Sequence, residues 1–87
     1  VTASVNSTVI TVRLFAALRE QAGWAERRVE LPAGAPAPTP ASLWPQLGLG
    51  ETLPSQVRVA VNQVFAGVHQ PLAPGAEVAF LPPISGG

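Results

Sequence analysis

Glu77-Val78-Ala79-Phe80-Leu81-Pro82-Pro83-Ile84-Ser85-Gly86-Gly87 changes character at its middle. The first half alternates as a buried strand does, with Val78 and Phe80 on one face and Ala79 and Leu81 on the other. Pro82 and Pro83 then remove two backbone donors and fix φ, so pairing stops and the chain leaves the sheet extended. Pro83 also drives Pro82 out of the helical region. Gly86 and Gly87 carry no side chain, so this end fits a channel that any Cβ would block. A strand, a stiff exit and a bare end closed by the Gly87 carboxylate read as a probe rather than a frayed terminus.

Upstream of it, Leu72-Ala73-Pro74-Gly75 is a turn built on a type II Pro-Gly pair, and the last strand is expected over 76–81. Residues 56–61 place Val57, Val59 and Val61 on one face, with Arg58 and Ala60 opposite. Asn62-Gln63 makes a two-residue turn into a short return strand, Val64–Ala66. At the other end of the chain, Thr8–Leu14 is rich in β-branched residues and puts Ile10, Val12 and Leu14 on one face. Residues 1–7 are small and polar, without periodicity, and are expected to be loosely ordered.

The period then changes. Phe15, Leu18 and Ala22 recur at helical spacing, with Arg19 and Glu20 outward and Gly23 at a left-handed C-cap. Trp24 is expected as a lid over the core edge. Residues 27–31 form a second strand, Val29 and Leu31 inward, stopped by Pro32. Residues 33–40 read as a stiff loop of polyproline character. Thr39 caps a second helix with Pro40 in its first position and Leu43, Trp44 and Leu47 on its apolar face. Pro45 interrupts that helix, which is therefore kinked or partly 3₁₀. The order β-α-β-α-β-β-β gives class α+β: a mixed sheet of about five strands, two short helices on one face, and an extended tail. The expected divisions are 1–7, a domain over 8–81, and a tail over 82–87.

Composition removes most activities. Eighty-seven residues make one domain, and 47% hydrophobic content suffices for a core despite 10 Pro and 8 Gly. Five Arg balance five Glu, leaving no basic stripe to hold a nucleic acid. Cysteine is absent, which excludes disulfides, thiolate metal sites and a cysteine nucleophile. The single His69 cannot make a zinc site by itself. No apolar run approaches ~18 residues and no signal-peptide pattern occurs, so a cytoplasmic protein away from membranes is expected. Glutamates sit singly, no serine has a base beside it, and no Gly-rich loop precedes a lysine. The chain is not expected to be an enzyme on its own, nor to bind a cofactor.

What remains is the Gly87 carboxylate. A carboxylate becomes electrophilic when an oxygen is turned into a leaving group. Attack of that carboxylate on the α-phosphate of ATP gives a mixed anhydride, and a sulfur nucleophile that displaces AMP leaves a thiocarboxylate. With no cysteine in the chain, its end is the one place able to carry reactive sulfur. The nucleotide site, the metal and the sulfur source would belong to a partner. Lysine is also absent, so only an amino terminus could accept an acyl group from another copy.

Pro74-Gly75-Ala76-Glu77-Val78-Ala79-Phe80-Leu81-Pro82-Pro83-Ile84-Ser85-Gly86-Gly87, preceded by Ala60-Val61-Asn62-Gln63, closely resembles the small subunit of molybdopterin synthase. Val12-Arg13-Leu14-Phe15-Ala16-Ala17-Leu18-Arg19-Glu20 resembles the opening of that family, and the likeness spans roughly 8–31 and 57–87. The resemblance implies a ubiquitin-like β-grasp fold and a sulfur carrier. It implies that Gly87 is adenylated by an E1-like enzyme, which consumes ATP, and then becomes a thiocarboxylate. The tail, Pro82, Pro83, Ile84, Ser85 and Gly86, would enter a pocket of the large synthase subunit, in a heterotetramer with two copies of each chain. There it would deliver sulfur to cyclic pyranopterin monophosphate, two transfers making the dithiolene of molybdopterin.

The family's apolar interface falls on Phe15, Phe65 and Leu81, with Arg19 as a nearby polar contact. Taken as residues alone, Phe15 and Phe65 fit a core equally simply. Leu81 favours an interface, because it stands opposite the inward Phe80. The middle departs from the family at Pro45 and in the short stretch 48–55. A sulfur carrier of thiamine synthesis or another thiolation pathway shares the Gly-Gly end, as does a ubiquitin-like tag joined to target lysines. A passive interaction module would not need Gly86 and Gly87 at all.

Overall fold

The computed structural model describes residues 8–32 and 34–83. Strands β1 (Thr8–Leu14), β2 (Glu26–Leu31), β3 (Arg58–Val61), β4 (Val64–Ala66) and β5 (Glu77–Leu81) form one sheet in the order β2-β1-β5-β3-β4. β5 lies at the centre, parallel to β1 and antiparallel to β3. Both outer pairs, β1 with β2 and β3 with β4, are antiparallel. This is the mixed sheet of the β-grasp fold.

The alternation read from the sequence places the core on one face. Ile10, Val12, Val78 and Phe80 are fully buried there, with Leu14 and Val59 beside them. Burial of side chains of this size contributes roughly 1.5–3 kcal/mol each. Leu18 of α1 (Ala16–Ala22) and Leu43 of α2 (Pro40–Leu43) cover that face. Trp44 meets Phe80 edge-on, ring centroids 5.2 Å apart and planes at 67°. Its indole Nε1 is buried without a hydrogen-bond partner among the described residues. Trp24, half-buried at the core edge, lies under the Arg27 guanidinium, 4.4 Å from the ring centre.

Helix ends follow local chemistry. Gly23 takes φ 84° and its N–H reaches the Arg19 carbonyl at 2.9 Å, closing α1 as expected. At α2 the Thr39 hydroxyl accepts from the Ser42 N–H at 3.1 Å, while the Thr39 N–H donates to Ser42 Oγ at 2.9 Å. This reciprocal pair satisfies two orphan donors. Pro45 has no N–H for the Ala41 carbonyl, and the helix tightens into a 3₁₀ turn over Trp44–Leu47.

Several expectations need correction. Phe15 was expected on the apolar face of the first helix. Instead it is extended at φ −125° and ψ 151°, ahead of the helix, and 38% exposed. Ala16 behind it has φ 52°, a left-handed conformation that turns the chain sharply between β1 and α1. That turn carries Phe15 away from the core. β2 begins one residue early at Glu26, β3 begins at Arg58 rather than 56, and β5 at Glu77 rather than 76. The type II turn is Ala73-Pro74-Gly75-Ala76, one residue later than expected. It is closed by the Ala76 N–H on the Ala73 carbonyl at 3.1 Å, with Gly75 at φ 85°. Residues 1–7, and 84–87 of the tail, lie outside the described residues.

Candidate functional site

On the face turned away from the helices, Phe15, Phe65 and Leu81, expected from the sequence as site residues, come together. Register puts Arg13 beside Ala79, Ala79 beside Ala60, Ala60 beside Phe65, and Leu81 beside Arg58. All of these point away from the core, because their strand neighbours Val12, Val78, Phe80 and Val59 point into it. Small residues in the middle of a sheet leave a depression. Here it is a groove of about 340 Å³ with Ala60, Ala79 and Leu81 along its floor, Phe15 and Phe65 beside it, and Arg13, Gln63 and Glu77 also on its lining. Phe65 is 66% exposed. An apolar hollow flanked by two exposed aromatics is the kind of surface on which proteins commonly dock.

Each aromatic carries an arginine. The Arg13 guanidinium lies 5.9 Å from the Phe15 ring centre, and that of Arg58 5.0 Å from the Phe65 ring centre. Arg13 also pairs with Glu77 at 3.2 Å and approaches Glu26 at 3.8 Å. A second, shallower hollow on the far side of Phe65 is bordered by Arg58, Ser55 and Val68.

The structure therefore brings Phe15, Phe65 and Leu81 into one groove. Arg19 is exposed on α1 and does not line it. Pro82, half-buried, and Pro83, exposed, follow directly from the Leu81 end of β5. Ile84, Ser85, Gly86 and Gly87 lie outside the described residues. Arg13, Arg58 and Glu77 were not singled out from the sequence as site residues. Strand parity places Arg13 and Arg58 opposite the core residues, but only the strand order shows that Arg13 lines the groove and that Arg58 stands beside Leu81 at its edge. Among the described residues no group of three His, Asp or Glu side chains could hold a metal ion, and no helix is long and apolar enough to cross a membrane.

Comparison with solved structures places the fold. SAMP1 from Haloferax volcanii superposes with a TM-score of 0.74 at 27% identity, covering 91% of this chain and 99% of that one. A Pyrococcus furiosus protein described as a molybdopterin converting factor, subunit 1, gives 0.66 at 27% identity, covering 88% and 99%. The small archaeal modifier protein 1 of Methanosarcina acetivorans, at 22% identity and a TM-score of 0.71 over 93% of this chain and 98% of that one, shares the fold. No curated protein sequence matches the chain. The ThiS family model matches residues 12–87, from the middle of β1 through the terminal glycines. By that match this chain, with its β-grasp sheet and its strand leading into Pro-Pro-Ile-Ser-Gly-Gly, belongs to the ThiS family, whose members are ubiquitin-like sulfur carriers and protein modifiers.

Proposed function

We propose that this chain is the sulfur-carrier subunit of a molybdopterin synthase. The observation that carries the reading is the groove of Phe15, Phe65 and Leu81 lying at the root of the tail, with Leu81 the last residue of β5 before Pro82-Pro83. A partner seated on that groove receives the tail in a fixed direction. Likeness to the Pyrococcus furiosus protein described as a molybdopterin converting factor subunit supports the assignment.

In this reading an E1-like enzyme binds the groove and presents ATP to the Gly87 carboxylate. The carboxylate oxygen attacks the α-phosphorus, pyrophosphate leaves, and the acyl adenylate forms. A sulfur nucleophile then displaces AMP and yields the thiocarboxylate. The large synthase subunit next takes the tail and accepts the sulfur onto cyclic pyranopterin monophosphate. This chain supplies the docking face, the rigid lead and the terminal carbonyl; the nucleotide and the chemistry at phosphorus stay with the partner.

Likeness to SAMP1 supports a second reading, a modifier joined through Gly87 to lysines of other proteins. One experiment separates the two. The chain is incubated with its E1-like enzyme, ATP and a sulfur donor, and then with the large subunit and the pterin precursor. Mass spectrometry of a carrier shows one oxygen-to-sulfur exchange that reverts on turnover. A modifier appears instead on target lysines. A chain that is neither thiolated nor conjugated sinks both readings.

A further inference from the structure

The groove is not electrically uniform along its length. At the start of β5, one guanidinium, Arg13, faces two carboxylates, Glu77 and Glu26. On the groove lining itself Arg13 and Glu77 neutralise each other, so the charges at that end are already paired. At the edge of the other end stands Arg58, which borders the neighbouring hollow across Phe65, makes no ion pair among the described residues and lies over the Phe65 ring. Register sets Arg58 beside Leu81, four residues along β5 from Glu77, or roughly 13 Å at strand rise. The cation therefore stands where the chain leaves the sheet for the tail.

We propose that Arg58 selects the docking partner: the surface that seats on this groove carries a carboxylate facing the Arg58 guanidinium, with apolar side chains over Phe65 and Leu81. The inference rests on the reading of the groove as the docking face. A guanidinium stacked on an aromatic face keeps its N–H edge free, and that edge matches a carboxylate with two parallel hydrogen bonds. In the free chain such a pair in water contributes little. Under a seated partner the position changes, because Phe65 and Leu81 exclude water around Arg58. A surface without a carboxylate then strands a desolvated cation, and one with a lysine adds repulsion. The selectivity arises as much from penalising the wrong partner as from rewarding the right one. At the Glu77 end Arg13 is already paired, whereas Arg58 is not, so the partner's acid settles beside the tail root and the docking face has a direction.

The test has two arms. In the first, the chain is titrated with the peptide acetyl-Leu-Ala-Leu-Glu-amide and with its Gln twin, followed by nuclear magnetic resonance. The Glu peptide is expected to bind about tenfold more tightly, moving the Arg58 Nε–H and Leu81 amide signals. That advantage disappears in Arg58→Gln and shrinks in about 0.5 M salt. Equal affinities, no binding of either peptide, or an advantage that survives Arg58→Gln overturns the inference. In the second arm, calorimetry measures the large synthase subunit and the E1-like enzyme against the chain and Arg58→Glu. A partner that binds the chain and loses at least about tenfold on Arg58→Glu supports the assignment; one that binds both alike overturns it. If neither protein binds the unmodified chain, the proposed function falls, and the peptides alone decide the role of Arg58.

Discussion

Asn62 and Glu77 hold each other by two hydrogen bonds: the Asn62 N–H donates to the Glu77 carbonyl at 2.8 Å, and the Glu77 N–H donates to Asn62 Oδ1 at 3.0 Å. The hairpin turn between β3 and β4 is thereby fastened to the first residue of β5. Asn62 does this at φ 51°, a left-handed conformation its short polar side chain tolerates. Asn62→Gly removes the side-chain bond and frees the unfolded chain, and is expected to cost about 1–2 kcal/mol in urea unfolding. Asn62→Ala adds the left-handed penalty and is expected to cost about 2–3 kcal/mol. Equal losses for the two variants would dismiss backbone strain at this position.

Gln63 follows at φ 71°, so the turn has positive φ at both central residues, as a type I′ hairpin requires. Glutamine has no local hydrogen bond to offset that conformation. Gln63→Gly is expected to stabilise the domain by about 0.5–1 kcal/mol, the relieved strain less the entropy of the freer unfolded chain. A lower unfolding midpoint for the glycine variant would contradict this account.

Phe65 and Phe80 are the same residue type on opposite faces of one sheet. Phe80→Ala opens a cavity against Trp44 and is expected to cost about 3–5 kcal/mol, enough to unfold much of so small a domain. Phe65→Ala removes an exposed ring and is expected to cost less than about 1 kcal/mol. Binding to the large subunit should respond in the reverse sense: Phe65→Ala is expected to weaken it by about tenfold or more while the protein stays folded. Calorimetry beside a urea titration reads both. Unchanged affinity would remove Phe65 from the docking face.

Deletion of Gly87 is expected to abolish the oxygen-to-sulfur exchange without moving the urea midpoint, since β5 ends at Leu81 and the core residues lie upstream of it. Leu81→Glu leaves the terminal glycines in place and is expected to weaken docking of the proposed partners, as read by calorimetry; unchanged affinity would remove Leu81 from the interface. Sulfur transfer at the normal rate by the truncated chain would end the carrier reading.

Much of this architecture was readable from one-dimensional patterns. Ile10, Val12 and Leu14 alternate cleanly because one face of β1 is buried and the other is not. Pro45 announced the 3₁₀ turn because a missing N–H acts locally, whatever the surroundings. Thr39, Pro40, Gly23 and the Pro74-Gly75 pair are likewise signals that act within a few residues. The position of Phe15 was not readable. Its spacing to Leu18 and Ala22 is helical, and the left-handed twist at Ala16 that lifts it onto the other face has no glycine to mark it. Nor was the placement of Phe65, since β4 is only three residues long and offers too little alternation to choose a face. The groove itself comes from long-range pairing, β5 inserted between β1 and β3, and no local pattern encodes which strands become neighbours.

Because β5 is ladder-bonded on both sides, a load applied at Leu81 along the strand axis is shared by both ladders in shear. Rungs on both sides have to give together before the strand slides, unlike the one-at-a-time peeling of an outer strand. A partner that grips the chain beyond the sheet therefore pulls against two ladders rather than one.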